Sequence, residues 1–418
     1  MKEILEQSTL QLSSSRKALL WALVGLGVVM FIAGLAMGDA ERTWQAFLIN
    51  ALYWGGMSIA GVMMSVVWQV TDARWGRPFK RIAESYAGFI PVTFVALIMV
   101  LFGASHLYEW VEKPMHVKEG YLNLGFFSVR NIIGMLILFG MIRIYLKNSL
   151  MPDMAEARKL IPSWGGTFAE RLLKNYGDHE TEKVRLEQKQ RRLAPMLGIV
   201  YAIVISMIAF DYVMSLDQEW FSTLFGVYFF VGNLYTALAF MLIVVSLNRD
   251  KPGLAEYMTI NRYHDLAKFT FAIAMLYTYM VFTQYLVIWY SNLPEEAPYL
   301  VDRSIADTPW RPLFWTLVVV LFIFPFLSLM AKTVCRKPKV VAVIALVLMI
   351  GQWWAHYLLV VPSIQVRHHE QHFIFGLHEI LITAGFAGAF LLSFFWLQSK
   401  VPALPISDKH LCKTYHGH

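Results

Sequence analysis

Ten runs of apolar residues, each about the 20 residues that a helix needs to cross a bilayer, set the plan of this 418-residue chain. They fall at 17–37, 43–69, 84–107, 126–147, 194–215, 221–247, 268–290, 311–331, 339–361 and 377–397. The runs are apolar all round rather than striped, as helices surrounded by lipid or by other helices are. The pattern predicts an all-α, polytopic membrane protein with ten transmembrane helices. An even count puts both termini on one side. The tightest turn lies within Phe210–Tyr235, where Ser215-Leu-Asp-Gln-Glu219 links run five to run six and Trp220 opens the latter at the interface.

Charge then orients the array. Of 36 Lys and Arg, 28 fall in the termini and in the connections on their side, six in the opposite connections, and two (Arg130 and Arg143) inside run four. The positive-inside rule predicts cytoplasmic termini and a cytoplasmic 148–193. This alternation also explains the net charge of +7 without nucleic acid. Charged residues are 16% of the chain, against about 25% in a soluble domain. The first sixteen residues are polar, and no clean cleavage site follows run one, so it reads as a retained span. Within 148–193, Trp164-Gly-Gly-Thr-Phe-Ala-Glu-Arg-Leu-Leu mixes apolar and charged positions and predicts a helix lying on the membrane surface.

The two halves repeat weakly. Runs two and six open at Trp44 and Trp220 and carry Gly55 and Gly232 eleven or twelve residues on; runs three and seven exit through Trp110 to Pro114 and Trp289 to Pro294. A four-run offset relates the copies by an axis along the membrane normal. The chain divides into 1–42 (tail and first span), 43–147 with 194–215 (spans two to five, around the loop 148–193), 216–361 (spans six to nine) and 362–418 (outer loop, tenth span and tail).

Ionisable groups inside spans are costly unless paired or facing a cavity. Asp211 lies near the end of run five with Ser215 one turn on, and is read either as part of a proton route or as half of a buried ion pair. Arg130 is the candidate partner, with Asp211 or Glu109 as its acid, and His106 lies at the same level. Arg143 sits where it can snorkel to the headgroups. Tyr277, Gln284 and Ser291 form a polar stripe on run seven, suited to interhelical hydrogen bonds or to a ligand. His106, His356 and His378 lie in or at the edge of spans without offering an axial pair at matched depth, which argues against bound haem. Cys335 and Cys412 make neither a haem-attachment motif nor an iron–sulfur set, so a redox centre is expected on another chain and no metal in this one. His368, His369 and His372 have metal-ligand spacing but sit in a loop without a fixed scaffold.

Several stretches carry a family resemblance: Phe210–Tyr235, the exit Gln284-Tyr-Leu-Val-Ile-Trp-Tyr-Ser-Asn-Leu-Pro-Glu-Glu296 with Arg303, Phe322-Ile-Phe-Pro-Phe-Leu, Arg336-Lys-Pro-Lys339, and Gln352-Trp-Trp-Ala-His356-Tyr through Pro362. Together they resemble the second quinone-type membrane subunit of alternative complex III, in the polysulfide-reductase (NrfD-like) membrane family. The resemblance implies two four-helix bundles, spans two to five and six to nine, with spans one and ten peripheral. It implies a bacterial inner-membrane subunit of a quinol:cytochrome c oxidoreductase. The expected partners are a homologous sister subunit, an iron–sulfur subunit and c-type cytochrome subunits, which would hold the clusters and haems. Quinone is the possible ligand here, although the family favours the sister chain for the working quinol site. Gln352 and His356, one turn apart, with Gln284 at similar depth and Trp289, Trp353 and Trp354 as walls, are the candidate quinone contacts between spans seven and nine. Two other readings remain: a secondary transporter, for which Gly88, Pro91 and Pro325 are the helix interruptions, and a purely structural anchor.

Overall fold

The computed structural model describes Leu5 and residues 12–365, 372–408 and 411. Every regular element among them is helical, and ten helices are long and apolar enough to span a membrane. We number these α1 (Ser14–Ala36), α2 (Ala40–Val70), α3 (Arg74–Phe102), α4 (Leu124–Leu160), α5 (His179–Tyr212), α6 (Phe225–Asn248), α7 (Ile260–Ser291), α8 (Trp310–Leu329), α9 (Pro338–Gln365) and α10 (Leu377–Gln398). The prediction of an all-α, ten-span membrane protein holds. His368, His369 and Cys412 lie outside the described residues. The end of the array where α1 begins and α10 finishes carries most of the basic residues and is called the basic face below; the other is the opposite face.

Several helices begin on side-chain caps. Asn123 accepts from the Phe126 amide at 2.8 Å to start α4, and Asp178 from the Thr181 amide at 3.1 Å to start α5. Two helices outrun their apolar stretches. α4 continues to Leu160 through Pro152, and α5 starts at His179 on its Asp178 cap, well before its apolar run. The segment 148–193 is therefore mainly two helical extensions, and a separate amphipathic helix is confined to Gly166–Leu173.

In lipid the hydrophobic effect does not press helices together, so close packing must. α2 is buried along its whole apolar window, and α6 and α9 along most of theirs. α2 packs on α3 and α5, α4 on α5, and α6 on α7 and α9, while α2 also meets α6 and α9 across the joint between the two groups. α1 and α10 pair outside this core. Their backbones meet at glycines: a Cβ on Gly27 would lie 2.7 Å from the Gly385 Cα. Arg42 of α2 and Glu379 of α10 clasp the pair to the core at 2.7 and 2.8 Å. The repeat glycines occupy related places, Gly55 against Thr93 of α3 and Gly232 against Tyr277 of α7.

Candidate functional site

Three buried polar centres stand out among the described residues, and they differ in how fully their groups are paired. The first is Asp211, 0% exposed near the end of α5. Arg130 of α4 grips its carboxylate through Nε and Nη2, both at 2.7 Å. Asn131 adds a bond at 2.6 Å and the Tyr121 hydroxyl one at 3.0 Å. The guanidinium also donates to the Tyr121 carbonyl at 2.7 Å and stands 3.7 Å from the centroid of that tyrosine's ring. Four donors on one carboxylate, with a bidentate arginine among them, make an ion pair rather than a proton carrier. The other two residues suggested beside it are elsewhere. Glu109 pairs with Lys113 at 3.5 Å, and His106 is exposed. Arg130 finds Asp211 because α4 and α5 pack antiparallel along their lengths.

The second centre is a cavity of about 670 Å³ between α7, α8 and α9, closed toward the opposite face by α6 and the short helix Ala297–Ser304. Its walls are mostly aromatic and aliphatic: Tyr285, Ile288, Phe314, Leu317, Leu321, Leu358. Tyr279, Phe282 and Trp315, about half exposed, border it on the side that faces lipid. Helix α8 bends around it through a π turn, Val319–Ile323, just before Pro325, which has no N–H to continue the α ladder. Tyr235 reaches one of the displaced carbonyls, Leu321, at 3.5 Å.

Few polar groups enter this cavity, and they matter more for being few. Gln284 lines it from α7, and the Tyr228 and Tyr277 hydroxyls meet at 3.1 Å on its inner wall. At the end near the opposite face stands Arg303, 5% exposed. It donates to the Leu358 carbonyl at 3.1 Å, the Tyr299 carbonyl at 2.7 Å and the Ser363 hydroxyl at 2.6 Å. Its guanidinium stands 3.7 Å from the Tyr299 ring, whose other face stacks on Trp220 at 3.7 Å and 4°. A guanidinium carries five N–H groups, so two are left for a ligand. No carboxylate forms an ion pair with it among the described residues. Asp302, next in the chain, is held above the usual carboxylate range by burial, with Arg303 pulling it the other way.

Of the six residues suggested as quinone contacts or ring walls, only Gln284 lines the cavity. Trp289 is 60% exposed on the outside of α7. Neither His356 nor Gln352 lines the cavity, whereas Ala355, Leu358 and Leu359 of the same helix do. His356 bonds the Gln352 carbonyl through Nδ1 at 2.8 Å, and its ring lies against Tyr53 and Phe229. A spacing of one turn puts Gln352 and His356 side by side but does not say which neighbour they meet: residues 355 and 356 are 100° apart around the helix. Gln352 sits behind the inner wall, where a Cβ on Gly232 would lie 3.1 Å from the Tyr277 ring and 3.6 Å from the Gln352 Oε1. The Nε2 atoms of both Gln352 and His356, and both side-chain polar atoms of Asn233, are buried without a partner, so the joint between α2, α6 and α9 holds an unsatisfied polar seam.

The third centre was not apparent from the sequence. Near the basic face Arg81 donates to Asp153 at 2.8 and 2.5 Å and also to Glu84, all three at most 2% exposed. Ser65, Tyr145 and Ser149 complete the cluster around Glu84. Asp153 belongs to a stretch that reads as a soluble loop, and only its approach to Arg81 across two helices buries it. Arg303 did leave a signal: it is one of only six basic residues on a side otherwise depleted of them. No group of three or more His, Cys, Asp or Glu side chains among the described residues is arranged to hold a metal. Searches for a matching family model and for a similar curated protein found none for this chain.

Proposed function

We propose that this chain is an integral-membrane subunit of a bacterial respiratory quinol:acceptor oxidoreductase of the alternative complex III type, and that the cavity between α7, α8 and α9 takes the quinol. One observation carries the second half of the reading: an apolar, laterally bordered cavity of about 670 Å³ with its hydrogen-bonding groups gathered on the inner wall and at one end. A ring with two polar oxygens and a long isoprenoid tail asks for this division. The two spare N–H groups of Arg303 and the amide of Gln284 suit the ring oxygens, and the half-exposed edge at Phe282 and Trp315 is where the tail would run out into lipid. A polar solute carried by a transporter would instead meet mostly aromatic wall.

Oxidising a quinol releases two electrons and two protons. In this reading the electrons leave toward iron–sulfur and c-type cytochrome subunits docked at the opposite face, beside a homologous membrane subunit. The chain's own residues bind and orient the ring. The Tyr228–Tyr277 hydroxyl contact offers one protein-side route for a proton away from it. In this reading the basic face lies in the cytoplasm, which the positive-inside rule favours.

Purification of the native assembly in mild detergent tests the first half, with an iron–sulfur protein and c-type cytochromes expected to co-purify. A photoreactive quinone analogue tests the second. Labelling of α7 or α8 residues lining the cavity, competed by native quinol, is expected. Labelling confined to a sister subunit would reduce this chain to a structural anchor.

A further inference from the structure

On the basic face, well away from the quinol cavity, α2, α3, α4, α5 and the segment after α10 enclose a second pocket of about 60 Å³. That is room for one tetrahedral oxyanion or a few waters. Lys80, only 6% exposed, lines it and makes no hydrogen bond or ion pair with a described residue. Beside it, the Nε of Arg77 and the Nε2 of Gln190 are buried without a partner, and Gln190 is 5% exposed. Three donors from two helices thus converge on one space with nothing to accept them. The large majority of buried side-chain polar atoms in native proteins have a partner.

The neighbouring acids are committed elsewhere. Glu84 and Asp153 hold Arg81. Asp72 and Asp408 take the Nη atoms of Arg77 at 2.9 and 3.1 Å, and Glu187 takes Arg191 at 3.2 Å. Ser407 donates to Asp153 through its amide at 2.8 Å and through its hydroxyl, which fixes the segment after α10 as the pocket's lid. What is missing is an acceptor with several oxygens and a charge to match Lys80.

We infer that this pocket binds a phosphate oxyanion, held by Lys80, Arg77 and Gln190. Depth favours a lipid as its source. Asn148, on the wall, is the first residue past the apolar run of α4, and Gln190 lies four residues before that of α5. Phospholipid headgroups occupy this level, and basic pockets between helices on the cytoplasmic side bind anionic ones.

The full chain, purified in dodecyl maltoside and stripped of lipid, is titrated with phosphatidylglycerol, or with sodium phosphate against chloride at equal ionic strength. Thermal unfolding and native mass spectrometry are the readouts. Expected are a rise in Tm and one phosphatidylglycerol retained at low lipid excess. Lys80→Met and Gln190→Leu should each weaken that binding about tenfold, while Lys80→Met, which removes a buried ammonium with no hydrogen bond to a described residue, should be at least as stable as the parent without lipid. A response to both lipid and phosphate keeps the oxyanion site, and a response to phosphate alone reassigns it to the free ion. If neither raises the Tm, or if both variants bind phosphatidylglycerol like the parent, the pocket holds water only and the inference fails.

Discussion

Two buried arginines on the same side of this membrane protein are treated in opposite ways. Arg130 meets a carboxylate head-on, and Asp211 in turn has every lone-pair direction taken by Arg130, Asn131 or Tyr121. Arg303 has aromatic rings, two carbonyls and a hydroxyl around it, no acid in an ion pair with it, and a cavity in front of it. Burying a charge is expensive in either case. In the first case the protein itself meets the cost. In the second it leaves donors unspent, as a binding site must, because a group already satisfied gains nothing from a ligand. Asp211 drew attention in the sequence as the acid within a span; the structure makes it the less chemically available of the two centres.

Breaking the compensated pair should have the largest effect. Arg130→Met leaves the Asp211 carboxylate buried with only two neutral donors, and removal of one partner of a buried pair costs about 3–5 kcal/mol. Thermal unfolding of the solubilised protein would show it. Arg130→Met combined with Asp211→Leu should recover most of the loss, since an apolar pair of similar volume removes the unpaired charge. A single variant as stable as the parent would show that the pair is incidental.

The same change at the other arginine should act on ligand more than on fold. Arg303→Gln forfeits hydrogen bonds worth about 1–3 kcal/mol in all, but the affinity for quinol should fall at least tenfold, seen as a raised KM in the assembled complex. His356→Ala sharpens the contrast. Its ring fills space between Tyr53 and Phe229, outside the cavity. The expected result is a stability loss of about 1–3 kcal/mol from the void with an unchanged KM. A raised KM with unchanged stability would return His356 to the binding site.

Those two residues also show what can be read from the chain. The ten spans were legible because lipid demands about 20 apolar residues per crossing, a constraint written along the sequence. The Arg130–Asp211 pair was legible as one of two options, because both residues violate that constraint and lie at similar depth. Arg303 carries no such violation, since it sits in a connection between spans. The azimuth of His356 depends on which neighbours α9 packs against, and no run of apolar residues records that. Asp153 was hidden for a related reason: its stretch has loop-like composition, and only the continuation of α4 brings it to Arg81.

The finest test of the compensated site removes one hydroxyl. Tyr121 is 45% exposed, donates to Asp211 at 3.0 Å, and supports the Arg130 guanidinium with its ring. Tyr121→Phe keeps the ring and the backbone carbonyl that Arg130 uses, so only one of the carboxylate's four donors is lost. A neutral hydrogen bond of this kind is worth about 0.5–1.5 kcal/mol. The effect also has a pH signature. Burial, and then the negative charge of Asp211, push the Tyr121 hydroxyl up to about 12 from the usual 10. A pKa raised in the folded state contributes stability that is complete below pH 10 and is lost as pH rises through 12. Ultraviolet difference titration should find one tyrosine fewer ionising near 12 in the variant than in the parent, where Tyr176 shares that range. The variant's stability should also fall less than the parent's between those two pH values. Were Tyr121→Phe to cost as much as Arg130→Met, the ion pair would not be the element that holds α4 to α5, and the contrast with Arg303 would have to be drawn from the hydroxyl instead.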